Sequence, residues 1–209
     1  MLTRPEQYID ELVVALLDLD TQVLERVSWQ LARGYLAEQT VFVCGNGGSA
    51  ATASHLATDL TKLTTPAGAL RRLKCMALTE SASTVTAIGN DLSYEDIFVE
   101  QLRSWMSPGD IVIGISTSGS SDNVLKAIDY ANENGAFTVG ITGRGGAELQ
   151  RLARETLVIG STSVQRIEDL SVVAAHLLVL LTKDKCLEVI GPPEGVTASK
   201  TKLSNGEAA

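Results

Sequence analysis

The sequence predicts an α/β fold: one parallel sheet covered by helices on both faces. Three observations carry this. Five short apolar runs rich in β-formers, at 41–44, 73–78, 110–116, 137–142 and 155–160, alternate with stretches of helical spacing. The runs are apolar almost throughout, as strands buried on both faces are. Two of them open into glycine- and serine-rich loops followed at once by a helix. In such sheets those loops lie at the carboxyl ends of the strands, where ligands bind.

The elements follow in chain order. Residues 5–37 read as two helices, from Tyr8, Leu12, Val13 and Leu16, then Val23, Leu24, Val27 and Leu31, with Gly34 interrupting near the end. VFVC (41–44) is the first strand, followed by a helix at 49–63. TTPAGALRR (64–72) reads as a loop whose Arg71 and Arg72 are solvated. LKCMAL (73–78) is the second strand, followed by helices at 81–90 and 93–106. DIVIGIS (110–116) precedes a helix at 121–134, and FTVGIT (137–142) one at 146–153. ETLVIG (155–160) leads into a long apolar helix at 164–189. Pro192 and Pro193 stop it, and the polar tail beyond has no periodicity. The expected organisation is N-terminal helices at 1–38, packing on the domain and between subunits, one domain at 39–190, and a flexible tail at 191–209.

The 209 residues are 44% hydrophobic, enough for one domain with a sizeable core. A net charge of −8 gives no broad attraction for nucleic acid or anionic lipid. The first residues lack the apolar core of a signal peptide, and LSVVAAHLLVLL (170–181) is too short to span a bilayer and carries a histidine. The expectation is a cytoplasmic protein with no nucleic-acid or membrane partner. Cys44, Cys75 and Cys186 are odd in number and widely spaced. They read as reduced, buried thiols and not as a disulfide framework or a cysteine metal site.

The second loop is the sharper signal. Ser116, Thr117, Ser118, Ser120 and Ser121 place five hydroxyls in six positions, with no cation among them. Hydroxyls and the free N–H groups of a helix start suit a phosphate monoester. The ordinary alternative is a capped turn, since serine is a favoured N-cap. One or two of the serines suffice for that; five make pure capping the weaker reading. The first loop, Gly45-x-Gly47-x-x-Ala50, also fits a dinucleotide fingerprint, a weak signal alone. That reading wants an acidic residue about 20 positions on. The candidate, Glu80, comes 35 after Gly45, so a nicotinamide enzyme ranks below a sugar-phosphate site.

His55 and Asp59 lie four apart on a predicted helix and share a face. Imidazole and carboxylate are both zinc ligands. On spacing alone the preferred reading is an ordinary helical hydrogen bond or ion pair. His176 lies in an apolar helix and needs a polar partner. Either a backbone carbonyl supplies it, or His176 meets the loop after the first strand. Glu168 is eight positions earlier, about 80° around that helix, and Asp169 is seven earlier and nearly in line. Asn90 and Asp91, in GND, are residue types common in turns.

GNGGS with His55 and Asp59, GND at 89–91, STSGSS at 116–121, TGRGG at 142–146, and RIED with His176 together resemble the SIS (sugar isomerase) domain family, and within it the phosphoheptose isomerases. The resemblance spans roughly residues 5–189. It implies a five-stranded parallel sheet flanked by helices and a homotetramer with sites between subunits. It also implies isomerisation of sedoheptulose 7-phosphate through an enediol, with one zinc ion per subunit. Carried over, Asn46, Gly47, Gly48, Ser49, Asn90 and Asp91 would line the sugar, and Ser116, Thr117, Ser118 and Ser121 would grip the phosphate. His55, Asp59, Glu168 and His176 match the metal-ligand positions. Asp59 and Glu168 also fall at substrate-binding positions, and Asp59 and His176 at those of the catalytic base and acid. Two departures stand out: the family's glutamate is aspartate at 59, and its glutamine is glutamate at 168. Two acids without a cation would repel, so the pair favours an occupied site or a raised carboxylate pKa. The alternatives are non-catalytic SIS proteins: a tetrameric scaffold on a bacterial replication initiator, or a sugar-phosphate-binding regulator.

Overall fold

The computed structural model describes residues 4–64 and 71–190. The centre of the expected 64–72 loop and the expected tail lie outside those residues. Two helices, α1 (Pro5–Leu17) and α2 (Thr21–Leu36), precede the sheet. Asp20 separates them: its side chain accepts from the N–H groups of Gln22 and Val23 and so starts α2. Then come β1 (Thr40–Gly45), α3 (Gly48–Leu63), β2 (Lys74–Ala77), α4 (Ala82–Asp91), a 3-10 turn at Tyr94–Asp96 and α5 (Val99–Trp105). The chain continues through β3 (Ile111–Ser116), α6 (Asp122–Glu133), β4 (Phe137–Gly143), α7 (Ala147–Leu152), β5 (Glu155–Ile159) and α8 (Val164–Ile190).

The five strands are parallel, in the order β2-β1-β3-β4-β5. Alternate side chains of β1 and β3 enter two separate cores, and the buried apolar residues of β2, β4 and β5 enter the first of them. Val41, Val43, Ile111, Ile113, Ile115, Val139 and Ile141 face α2, α3 and α8. Phe42, Cys44 and Val112 face α5, α6 and α7. The order reverses at β1: the chain leaves β1 for β2 on one side and returns through β3 on the other. Loops after β1 and β3 therefore diverge and leave a crevice between them. The two loops flagged in the sequence are those two.

Three local expectations need correcting. Gly34 does not interrupt α2, which runs to Leu36. A Cβ at Gly34 would lie 3.0 Å from Ile111 Cδ1, so the glycine lets α2 approach β3. The expected helix at 93–106 breaks between the 3-10 turn and α5, where the buried Ile97 and Phe98 turn into the core. Buried Gln101 holds that break, donating to the carbonyls of Ile97 (2.6 Å) and Leu78 (2.9 Å). Arg71 is not merely solvated. It pairs with Glu38, donates to the Leu36 carbonyl at 3.2 Å and lies over the Tyr35 ring.

Candidate active site

The serine loop joins β3 to α6. Ser116, the last residue of β3, is buried, and its hydroxyl accepts from the Gly119 N–H at 3.1 Å. The Ser118 hydroxyl accepts from the N–H and the hydroxyl of Ser120. These two serines therefore shape the loop itself. Ser121 precedes α6 but caps nothing; its hydroxyl pairs with that of Ser116 at 2.9 Å. The first N–H groups of α6 are left without a side-chain cap, the condition that suits an anion.

A second turn packs behind the loop. The Gly143 N–H donates to the Thr117 carbonyl (3.2 Å), and the Leu149 N–H to the Gly119 carbonyl (3.1 Å). Gly119 has φ +65°, and a Cβ there would sit 2.3 Å from the Gly146 Cα. A Cβ on Gly146 would sit 1.9 Å from Thr142 Oγ1. Gly119 lets the two backbones touch, and Gly146 leaves room for the Thr142 side chain. Arg144 of the same turn points elsewhere and pairs with Asp18 at 3.3 Å.

The first loop turns through Gly47, at φ +55°, and α3 starts at Gly48 with no side-chain cap. Ser49 is buried, whereas Gly47 and Gly48 are exposed. Asn46 bridges to the serine side. Its Nδ2 donates to Asn123 Oδ1, and Asn123 Nδ2 donates back to Asn46 Oδ1, both at 2.9 Å. Tyr94 Oη donates to the same Oδ1 at 3.0 Å. Asn90 and Asp91 lie in the last turn of α4 and not in a free turn; they are exposed, and Asn90 Nδ2 donates to Asp91 Oδ1.

On the other side of α3, helices α3 and α8 pack in parallel. The Glu168 carboxylate lies against Gly48, with an oxygen 2.3 Å from where a Gly48 Cβ would be. Two turns further along both helices, about 10–12 Å, His55 Nε2 and His176 Nε2 stand 2.8 Å apart. Asp59 Oδ2 is 3.4 Å from His55 Nε2. Each of His55, Asp59 and His176 offers one ligand atom, and these atoms lie within 4.8 Å of one another. The structure thus gathers three of the four expected metal-ligand residues. Glu168 lies up at the glycine loop. Asp169, in line with His176 by helix angle, turns to α1 and accepts from Tyr8 Oη at 2.5 Å, a bond that raises the Tyr8 pKa.

Two imidazoles and a carboxylate form a donor set that zinc accepts. The fit needs little movement: tetrahedral zinc with bonds near 2.05 Å separates two nitrogens by about 3.3 Å, close to the present 2.8 Å. The group faces outward, with the His55 side chain 43% exposed and that of Asp59 15%. A concavity of about 510 Å³, lined by Asp122, Lys126, Asp129, Glu148 and Arg151 among others, lies on the opposite sheet face. Sequence reasoning missed Tyr94 and Asn123. Asn123 had only the weak signal of following Ser121 at a helix start; Tyr94 had none.

A model of the SIS domain family matches residues 6–143. The chain belongs to the SIS domain family. Within that family it groups with sugar-phosphate isomerases of the aldose–ketose type. The phosphoheptose isomerase of Akkermansia muciniphila is 39% identical over 150 residues, covering 70% of this chain and 77% of that protein. The phosphoheptose isomerase of Aquifex aeolicus is 35% identical over 182 residues, covering 85% and 92%. The solved structure of phosphoheptose isomerase from Neisseria gonorrhoeae superposes with a TM-score of 0.75 at 28% identity, over 86% of this chain and 96% of that one.

Proposed function

We propose that this chain isomerises sedoheptulose 7-phosphate to the corresponding aldose phosphate through an enediol, with a divalent metal, zinc by preference, held by His55, Asp59 and His176. The observation that carries the reading is the meeting of His55 and His176, 121 positions apart in the chain, at 2.8 Å beside Asp59. Family membership supplies the reaction class, and the phosphoheptose isomerase relatives supply the sugar.

The serine loop and the start of α6 bind the phosphate and hold the sugar in register, giving binding energy remote from the reacting carbons. Asp59 takes the proton from the carbon beside the carbonyl. His176 returns a proton to the neighbouring carbon from the ring nitrogen that would not hold the metal. The hydroxyl proton passes to the former carbonyl oxygen, and the proton on Asp59 restores His176 for the next turnover. A bound metal ion supplies charge stabilisation for the developing oxyanion. Glu168, at Gly48, faces the sugar loop and adds a negative charge there.

The His55–Asp59–His176 group is open to solvent in one chain, and such chemistry needs water excluded. Helix α1 exposes Ile9, Val13, Val14, Leu16 and Leu17, more apolar surface than an isolated helix keeps in water. The proposed assembly is a homotetramer in the cytoplasm in which a neighbour walls the site. Among the described residues no helix is long and apolar enough to cross a membrane.

The test is incubation of the purified, zinc-supplemented protein with sedoheptulose 7-phosphate, followed by NMR. Aldose resonances that grow with time, and fail to grow for Asp59→Ala, are the expected result. No conversion by the wild-type chain would reject the reading.

A further inference from the structure

We infer that Asn123 and Tyr94 are positioning residues that fix the spacing between the phosphate loop and the sugar loop by clamping the Asn46 amide. The inference rests on the sugar-phosphate reading above. Neither residue belongs to a loop motif that marks the site, and neither is needed to grip phosphate.

Three segments that carry expected ligand residues meet at one side chain. Asn46 follows β1, Asn123 is the second residue of α6 beyond the serine loop, and Tyr94 follows the Asn90–Asp91 pair. Asn46 Oδ1 accepts from both Asn123 Nδ2 and Tyr94 Oη. A carbonyl-type oxygen has two lone pairs, so this oxygen is filled and cannot accept from a sugar hydroxyl. Asn46 Nδ2 spends one hydrogen on Asn123 Oδ1 and keeps one. Asn46 therefore meets substrate only as a donor, in an orientation its partners dictate.

The clamp is anchored. Asn123 is 3% exposed, so its amide has no water to fall back on, and breaking one bond strands the other partner. The Tyr94 segment is tied to α6 a second time, through Lys126 to Glu95 (2.8 Å) and Asp96 (3.2 Å). The loops after β1 and β3 diverge from the crevice floor, and this amide pair ties them together again above it. Its span sets how far the sugar carbons lie from the phosphate. A misplacement near 1 Å at such a point costs on the order of a hundredfold in rate.

The experiment compares inorganic phosphate and sedoheptulose 7-phosphate as ligands of the wild-type, Asn123→Ala and Tyr94→Phe proteins, by thermal shift and calorimetry. Tyr94 is exposed, so its phenylalanine variant folds even if the alanine variant does not. The expected result keeps phosphate affinity within about threefold of wild type in both variants. The extra affinity conferred by the sugar portion falls at least about tenfold for Asn123→Ala and severalfold for Tyr94→Phe, with kcat falling in parallel. Phosphate affinity that drops as far as sugar-phosphate affinity would overturn the inference, placing both residues in the phosphate grip. Unchanged sugar affinity in Tyr94→Phe and Asn123→Ala would overturn it too. Because binding is the readout, a wild-type protein that binds both ligands without turnover defeats the isomerase reading and still scores the clamp.

Discussion

His55 Nε2 and His176 Nε2 face each other at 2.8 Å, one from α3 and one from α8. The chain's only two histidines are spent on one contact. Two neutral imidazoles satisfy it only if one donates and the other accepts; a cation between them satisfies both. Both side chains are exposed, so removing either leaves the cores intact. His55→Ala and His176→Ala are expected to change stability by no more than about 0.5 kcal/mol in the metal-free state. Under the proposed function, zinc should bind the wild-type chain tightly and raise its melting temperature, and each variant should lose both effects. Metal analysis and calorimetry after dialysis check both halves of this.

Gly146 tests how the serine loop is supported. Alanine there drives a methyl into the Thr142 side chain, 1.9 Å from its Oγ1. The expected cost is about 1–3 kcal/mol, as for other overpacked sites. Because Thr142 pairs with Ser116 across β3 and β4, the displacement reaches the start of the serine loop, and under the proposed function the Michaelis constant for the sugar phosphate should rise as well. Urea unfolding and steady-state kinetics on Gly146→Ala measure the two effects.

The cysteines are expected to be unreactive while the chain is folded. Burial pushes the Cys44 thiol up to about 12 and that of Cys186 up to about 11. Iodoacetamide at pH 8 should label neither until denaturant is added. A thiol whose pKa is higher in the folded than in the unfolded chain binds its proton more tightly when folded. Its contribution is therefore full below the unfolded value near 8.5 and is lost as pH climbs from there toward 11–12. Stability measured from pH 8 to 11 should fall; a flat or rising profile would contradict the burial.

Helix α1 tests the assembly. Val14 and Leu17 are 68% and 82% exposed. If a neighbouring subunit covers them, Val14→Asp with Leu17→Asp should shift sedimentation from tetramer to a smaller species while the single-chain fold, read by circular dichroism, persists. Identical sedimentation of wild type and variant would place the interface elsewhere.

The sheet was legible because its central strands β1, β3 and β4 are nearly uniform apolar runs buried on both faces; β2 read the same way although Lys74 and Met76 are exposed. The strand order was not legible, since nothing in VFVC or DIVIGIS states which neighbour each takes, and the resemblance implied five parallel strands without their order; the order comes from the structure. The serine loop was legible as the turn between β3 and α6, but the split of labour within it was not: Ser116 and Ser118 hold the turn, and Ser121 pairs sideways. His176 could not be placed by periodicity, because its meeting with His55 depends on how α8 lies along α3. Helix angle put Asp169 nearer to line with His176, yet Asp169 turns to Tyr8 and Glu168 to Gly48. Tyr94 and Asn123 escaped notice because a hydrogen bond between distant segments leaves no periodic trace.

The most direct test is a zinc titration of the chelator-stripped protein, with turnover of sedoheptulose 7-phosphate followed at each addition. Turnover that rises from near zero and levels off at one zinc per chain, and that His176→Ala abolishes, is the predicted result. Turnover already complete in the stripped protein, or full zinc-dependent turnover in His176→Ala, would contradict it.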